Sequence, residues 1–202
     1  MSDARDLIRS RGFTVLGLAG RAKAGKSTFA AAAGSCHPLH MRLGFADCGR
    51  SVSLAIFGSA YRSQDEKDAA DPYWAELLGE EWATGRKILE GIGRMIRGVH
   101  ADLPVMVSER RMLEVASLPK DHPMPFITFE DVRFNGEAQF IKEIGGTVIR
   151  MIRADQKPQK NPNEFEKGIS NDLVDQEYIC DSADAVEGVA RAYMACLTGV
   201  MK

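Results

Sequence analysis

Cysteine is scarce and scattered in this chain of 202 residues. Cys36, Cys48, Cys180 and Cys196 show no metal-ligand spacing, so neither a zinc site nor a disulfide scaffold is expected, and reduced thiols in a cytoplasm are the economical reading. Net charge is small as well. Lys and Arg total 26 against 28 Asp and Glu, and a formal charge of -2 offers no global attraction to nucleic acid or an acidic membrane. No apolar run approaches the length of a membrane span and the N-terminus lacks an apolar signal stretch, so a soluble cytoplasmic chain with no membrane partner is expected. Internal repeats and low-complexity tracts are missing. The histidines, His37, His40, His100 and His122, lack an accompanying nucleophile pattern, which argues against their catalytic use. What is left is an ordinary globular composition, 45% hydrophobic and 27% charged, in a chain long enough for one domain with a real core.

Against that background one run is specific. Gly20-Arg21-Ala22-Lys23-Ala24-Gly25-Lys26-Ser27 matches the glycine-rich P-loop, and Thr28 continues into a run of good helix formers. Gly20 and Gly25 let the backbone curl so that successive N–H groups, those of Ala22 and Ala24 among them, point inward at phosphates. Lys26 adds a mobile cation near the β and γ phosphates, and the Ser27 hydroxyl is a ligand for Mg2+. The context agrees: 13–18 reads as a short buried strand and 27–33 as a helix, which is the strand, loop and helix order the motif requires. ATP with Mg2+ is the expected ligand.

Four further segments read as strands, at 41–46, 125–130, 147–152 and 177–180, with helical patterns at 47–57, 82–99, 102–117, 136–144 and 182–199. Asp102 followed by Pro104 suits a helix start. Strands alternating with helices give an α/β class: a three-layer P-loop NTPase fold, with a parallel sheet of about five strands and helices on both faces. The whole of 1–202 is expected to be one kinase-like domain, with a helical region at about 47–117 and a lid at about 154–170. Residues 59–71 and 155–167 read as polar loops. The second lies beside the phosphate site, where closing it would exclude water; a plain flexible loop is the alternative.

Spaced elements beyond the P-loop resemble the deoxynucleoside monophosphate kinases of bacteriophages, in the same order from about Gly12 onward. Leu43-Gly44-Phe45-Ala46-Asp47 with Arg50 looks like the family's strand ending in an Asp that opens a helix. Gly85-Arg86-Lys87-Ile88-Leu89-Glu90-Gly91-Ile92-Gly93 with Arg97 is similar to its helix carrying an Arg, a Leu, a Gly and a second Arg. Glu130-Asp131-Val132-Arg133-Phe134-Asn135-Gly136-Glu137-Ala138 resembles its Asp-x-Arg-Phe-x-Asn-Glu-Ala signature. Gly145 to Arg153 precedes the lid and Ile169-Ser170. The chain departs from the pattern at Arg94 and Met95, at Gly136, and at Gly168 and Asn171.

The resemblance implies a deoxynucleoside monophosphate as phosphate acceptor, a homodimer, and action in a host bacterial cytoplasm. It assigns acceptor binding to Asp47, Arg50, Arg86, Arg133, Glu137 and Ser170. The chemistry of those residue types agrees, because a dianionic acceptor held beside a triphosphate needs arginines, whose planar guanidinium binds two phosphate oxygens at once. Arg86 is the first choice for that grip, against a merely solvated helix Arg, and Arg133 lies at the carboxyl edge of the sheet where open α/β proteins bind ligands. With Lys26, these two and Asp131 form the catalytic set. Asp131 reads as a Walker-B-like carboxylate orienting Mg2+, or as a helix cap. Asp47 orients the acceptor or only caps its helix. Arg153, better placed by resemblance than Arg150, would stack on adenine or touch phosphates as the lid shuts; Lys157 and Lys160 are weaker candidates. Trp74 and Trp82 read as core or pocket wall.

Three functions follow: a deoxynucleoside monophosphate kinase, a P-loop kinase acting on a hydroxyl of a modified base or other small acceptor, and a nucleotide-binding module without transfer. Turnover with monophosphates selects the first. Intact ATP with every acceptor selects the last, although a binding module has no need of a second set of arginines.

Overall fold

The computed structural model describes residues 2–119, 122, 124–157 and 164–197. In chain order the elements are α1 (Ser2–Ser10), β1 (Thr14–Ala19), α2 (Lys26–Ser35), β2 (His40–Leu43), α3 (Asp47–Phe57), α4 (Gln64–Asp68), α5 (Pro72–Leu78), α6 (Gly85–Val99), α7 (Leu103–Ala116), β3 (Phe126–Val132), α8 (Asn135–Glu143), β4 (Thr147–Arg153), β5 (Gln176–Cys180) and α9 (Ala183–Leu197). Short 3-10 turns occupy Glu80–Trp82 and Asn171–Leu173. Two compact units divide the chain, one of Met1–Gly44 with Ser108–Lys202 and one of Phe45–Val107.

The first unit is an α/β layer structure on a five-stranded parallel sheet of order β2-β3-β1-β4-β5. Val15 to Ala19 is buried throughout, as a central parallel strand covered on both faces must be, which explains the unbroken apolar run. Leu16 and Leu18 face Phe29 and Ala33 of α2 and Ala190 and Tyr193 of α9. On the opposite face Gly17 has no side chain, and Ile141 of α8 fills the space a Cβ would take. Strand order reverses about β1, whose carboxyl end opens into the glycine-rich loop, the place where open α/β sheets hold ligands. Arg5 of α1 lies over the Phe140 ring at 5.5 Å and pairs with Glu109 at 3.1 Å and with Glu143, fastening α1 to the later helices.

The second unit has a small aromatic core. Tyr61, Ile88 and Ile92 are buried, with Val52, Phe57, Trp74 and Trp82 against them, and Phe57 stacks on Trp82 at 5.7 Å. Both tryptophans pack, half-buried, against the core of this unit. Among the described residues no helix is long and apolar enough to cross a membrane.

Several expected boundaries move. β2 ends at Leu43, not at 46, because Ala46 is already helical (φ -75°, ψ -6°) as the N-cap of α3. The ladder of β2 on β3 also stops at Leu43–Phe129, where β3 loses its regular register. Asp47 thus opens a helix and does not end a strand. Residues 59–71 are not a plain loop: Ser63 and Glu66 form a reciprocal capping box that starts α4, and Asp71 with Pro72 starts α5. The expected helix at 82–99 begins at Gly85, where the Thr84 side chain accepts from the Lys87 N–H. Of the helix expected over 182–199, the last two residues lie outside the described residues, as do 158–163 of the expected lid and hence Lys160.

Candidate functional site

Beyond β1 the backbone takes positive φ at Gly20 (128°), Lys23 (64°) and Gly25 (89°). At Gly20 this is obligatory on two counts, since a Cβ there would also run into the Met151 carbonyl of β4. Lys23 alone among these carries a side chain in the left-handed region, a strain of the kind found at ligand sites. Gly25 is the N-cap of α2, and no side chain caps that helix. A curled loop leading into an uncapped helix N-terminus fits a chain of phosphates.

Lys26 donates from Nζ to the Gly20 and Arg21 carbonyls, both at 2.7 Å, which keeps its ammonium over the loop. Ser27 is exposed on the first turn of α2, and Thr28 follows half-buried. Ala24 is buried, its N–H donating to the Arg21 carbonyl at 3.3 Å. Asp131 owes its position to a β-bulge. Gly17 pairs with Phe129 but Ala19 pairs with Val132, so β3 carries one residue more than β1 across this stretch. Glu130 and Asp131 are consequently both half-buried while Val132 returns to the core. The bulge lies on the strand neighbouring β1, at the end that leads into the glycine-rich loop. Among the described residues no group of three or more His, Cys, Asp or Glu could hold a metal.

Arg133 follows directly. Its backbone N–H donates to Glu137 Oε2 at 2.7 Å, as does that of Phe134 at 3.1 Å, and the guanidinium Nη1 reaches the Phe165 carbonyl at 3.3 Å. Glu137 is 2% exposed, and its Oε2 accepts from both backbone groups, a capping arrangement at the start of α8. Ser170 exchanges hydrogen bonds with Asn135, its hydroxyl accepting from Asn135 Nδ2 at 2.8 Å and its backbone N–H donating to Asn135 Oδ1 at 2.9 Å.

The two arginines of β4 separate cleanly. Arg150 donates to the Asn171 side chain at 2.7 Å, Glu177 at 2.6 Å and the Ile169 carbonyl at 2.7 Å, which fixes the segment after the expected lid. Arg153 instead lines a cavity of about 170 Å³ with Lys23, Gly25, Thr28, Asp181 and Ser182. It pairs with Asp155 at 2.6 Å, and that hydrogen bond, first among several causes, holds the Asp155 carboxyl below its ordinary range. Just beyond, Gln156 Nε2 donates to the Ala22 carbonyl at 3.0 Å and Arg21 Nη1 to the Lys157 carbonyl at 2.6 Å. The start of the expected lid is thus strapped to the glycine-rich loop.

Arg86, Asp47 and Arg50 belong to the second unit. Arg50 donates to Asp47 Oδ1 at 3.1 Å, one turn along α3. Arg86, in the first turn of α6, donates from Nε at 3.1 Å and Nη2 at 2.7 Å to one oxygen of Asp68. Arg94 pairs with Glu90 and Arg97 with the Ala101 carbonyl, further along that helix.

The sequence reading gave no individual role to Arg21 and Lys23, which it quoted only within the glycine-rich run, or to Gln156, Asp181 and Asp68. Asp181 had a usable signal, since it follows directly on β5 at the carboxyl edge of the sheet. The straps of Arg21 and Gln156 had none, because both ends meet backbone carbonyls.

No protein-family model matches the chain. A putative deoxynucleotide monophosphate kinase of Acanthamoeba polyphaga mimivirus is 28% identical to it over 157 residues, which cover 69% of this chain and 74% of that protein.

Proposed function

We propose that this protein is a nucleotide kinase that transfers the γ-phosphoryl group of ATP to a deoxynucleoside 5'-monophosphate. The observation that carries the reading is the glycine-rich loop: three positive-φ residues after a central parallel strand, opening into an uncapped helix with Lys26 over the loop. The mimivirus relative, by its name a deoxynucleotide monophosphate kinase, supports the acceptor class.

In this reading the loop N–H groups and Lys26 hold the β and γ phosphates of ATP, and the base enters the cavity beside Arg153. Ser27 and Asp131 would hold Mg2+, which when bound neutralises charge on the phosphates and keeps them in line. Arg86 is the proposed grip on the acceptor phosphate. One of its oxygens attacks the γ-phosphorus, the bond to the β-phosphate oxygen breaks, and ADP and a nucleoside diphosphate leave. The protein supplies position and charge, with little covalent work.

The test is ADP release from Mg2+ and ATP with each deoxynucleoside and ribonucleoside monophosphate in turn, with a mass check for the diphosphate. Turnover with one or a few deoxynucleotides, lost about a thousandfold in Lys26→Ala, is expected. Silence with every monophosphate while ATP still binds would overturn it.

A further inference from the structure

Arg86 carries one edge of its guanidinium already in use. Nε and Nη2 both donate to Asp68 Oδ1, at 3.1 and 2.7 Å, while the other oxygen, Oδ2, accepts from the Gln64 side-chain amide. A guanidinium has five N–H groups. Two are taken here, and the end-on edge formed by Nη1 and the second N–H of Nη2 is the one that grips two oxygens of a phosphate.

The pair is built into the second unit. Beyond Asp68, Ala70 forms an antiparallel bridge with Thr84, and the Asp71 N–H donates to the Ala83 carbonyl at 2.7 Å, so the end of α4 is stitched alongside the start of α6. Gly85 makes that approach possible, because a Cβ there would meet the Tyr61 ring and stand 2.7 Å from the Glu66 carbonyl. Asp68 therefore sits beside Arg86 by the fold of the backbone. The pair does little for stability: both side chains are well exposed, at 35% and 49%, and ion pairs of that kind contribute little.

We infer that Asp68 is a positioning residue for Arg86: it fixes the Nε edge so that the end-on edge is presented to an incoming phosphate monoester. This rests on the kinase reading only in taking that ester to be the acceptor nucleotide. Orienting a flexible side chain beforehand removes part of the ordering cost from the binding step. A bare counter-ion would act in the opposite direction, since an incoming phosphate would have to displace it.

The experiment is calorimetric binding of the deoxynucleoside monophosphate panel to wild type, Asp68→Asn, Arg86→Ala and the double variant, with thermal unfolding of each. Expected is about tenfold weaker binding in Asp68→Asn at unchanged unfolding temperature, and no further loss from Asp68→Asn when Arg86 is already Ala. Unchanged or tighter binding in Asp68→Asn overturns the inference, as does an equal loss in the Arg86→Ala background or the absence of any monophosphate binding by wild type. Turnover is scored separately. Binding without turnover sinks the kinase reading and leaves the comparison of Asp68 variants in force.

Discussion

The Glu137 carboxylate accepts the backbone N–H of Arg133 at 2.7 Å, and so fixes the turn from which the Arg133 side chain leaves the sheet. Deleting it would leave the N–H groups of Arg133 and Phe134 without that acceptor at a half-buried helix start. Glu137→Ala is expected to cost about 1–3 kcal/mol in urea unfolding, the penalty of removing the acceptor from half-buried donors. Glu137→Gln keeps an acceptor oxygen and should lose less. Were Glu137 a ligand of the acceptor instead, Glu137→Gln would raise the acceptor KM at wild-type stability, and steady-state kinetics beside the unfolding curve separate the two.

The straps from Arg21 to the Lys157 carbonyl and from Gln156 to the Ala22 carbonyl join the glycine-rich loop to the chain leaving β4. Each replaces a bond to water at a half-exposed position, so neither contributes much stability alone. Together they hold the loop in its curled form. Arg21→Ala with Gln156→Ala is expected to raise the KM for ATP several-fold while the acceptor KM stays put. An unchanged ATP KM would show that the loop holds its form without the straps.

The five-stranded parallel sheet and its helical faces were legible because the strands are short and bounded by turn residues, and because the central strands β1 and β3 are largely apolar and buried. The position of Asp131 at a strand end was legible too, but the bulge beneath it was not. That extra residue exists only in the pairing of β3 with β1, more than a hundred residues away in the chain. Residues 59–71 misled for a different reason: their polarity masked the Ser63–Glu66 capping box, a local signal outweighed by composition. Asp68 was hidden with it. Glu137 was read as a ligand through its place in a signature, while its spacing from Phe134, three residues into α8, fits a cap equally well.

His40 gives the first unit a pH dependence of predictable sign. Its ring stacks on Phe126 at 5.4 Å, Nε2 is 2.9 Å from Thr128 Oγ1, and the ring fills the space a Cβ on Gly34 would take. Burial, and after it the charge of Arg42, hold the imidazole below its ordinary value; His37 acts the same way, and Glu130 opposes them. The folded protein therefore takes up a proton less readily than the unfolded chain does. Stability is complete above the ordinary histidine range near pH 6.5 and declines as pH falls through it toward the lower folded value. Thermal unfolding should show the wild type losing stability between about pH 7.5 and 5.5, and His40→Gln, which carries no titrating ring, losing less over the same interval. Parallel curves for the two proteins would assign the decline to other groups and return His40 to a plain packing role.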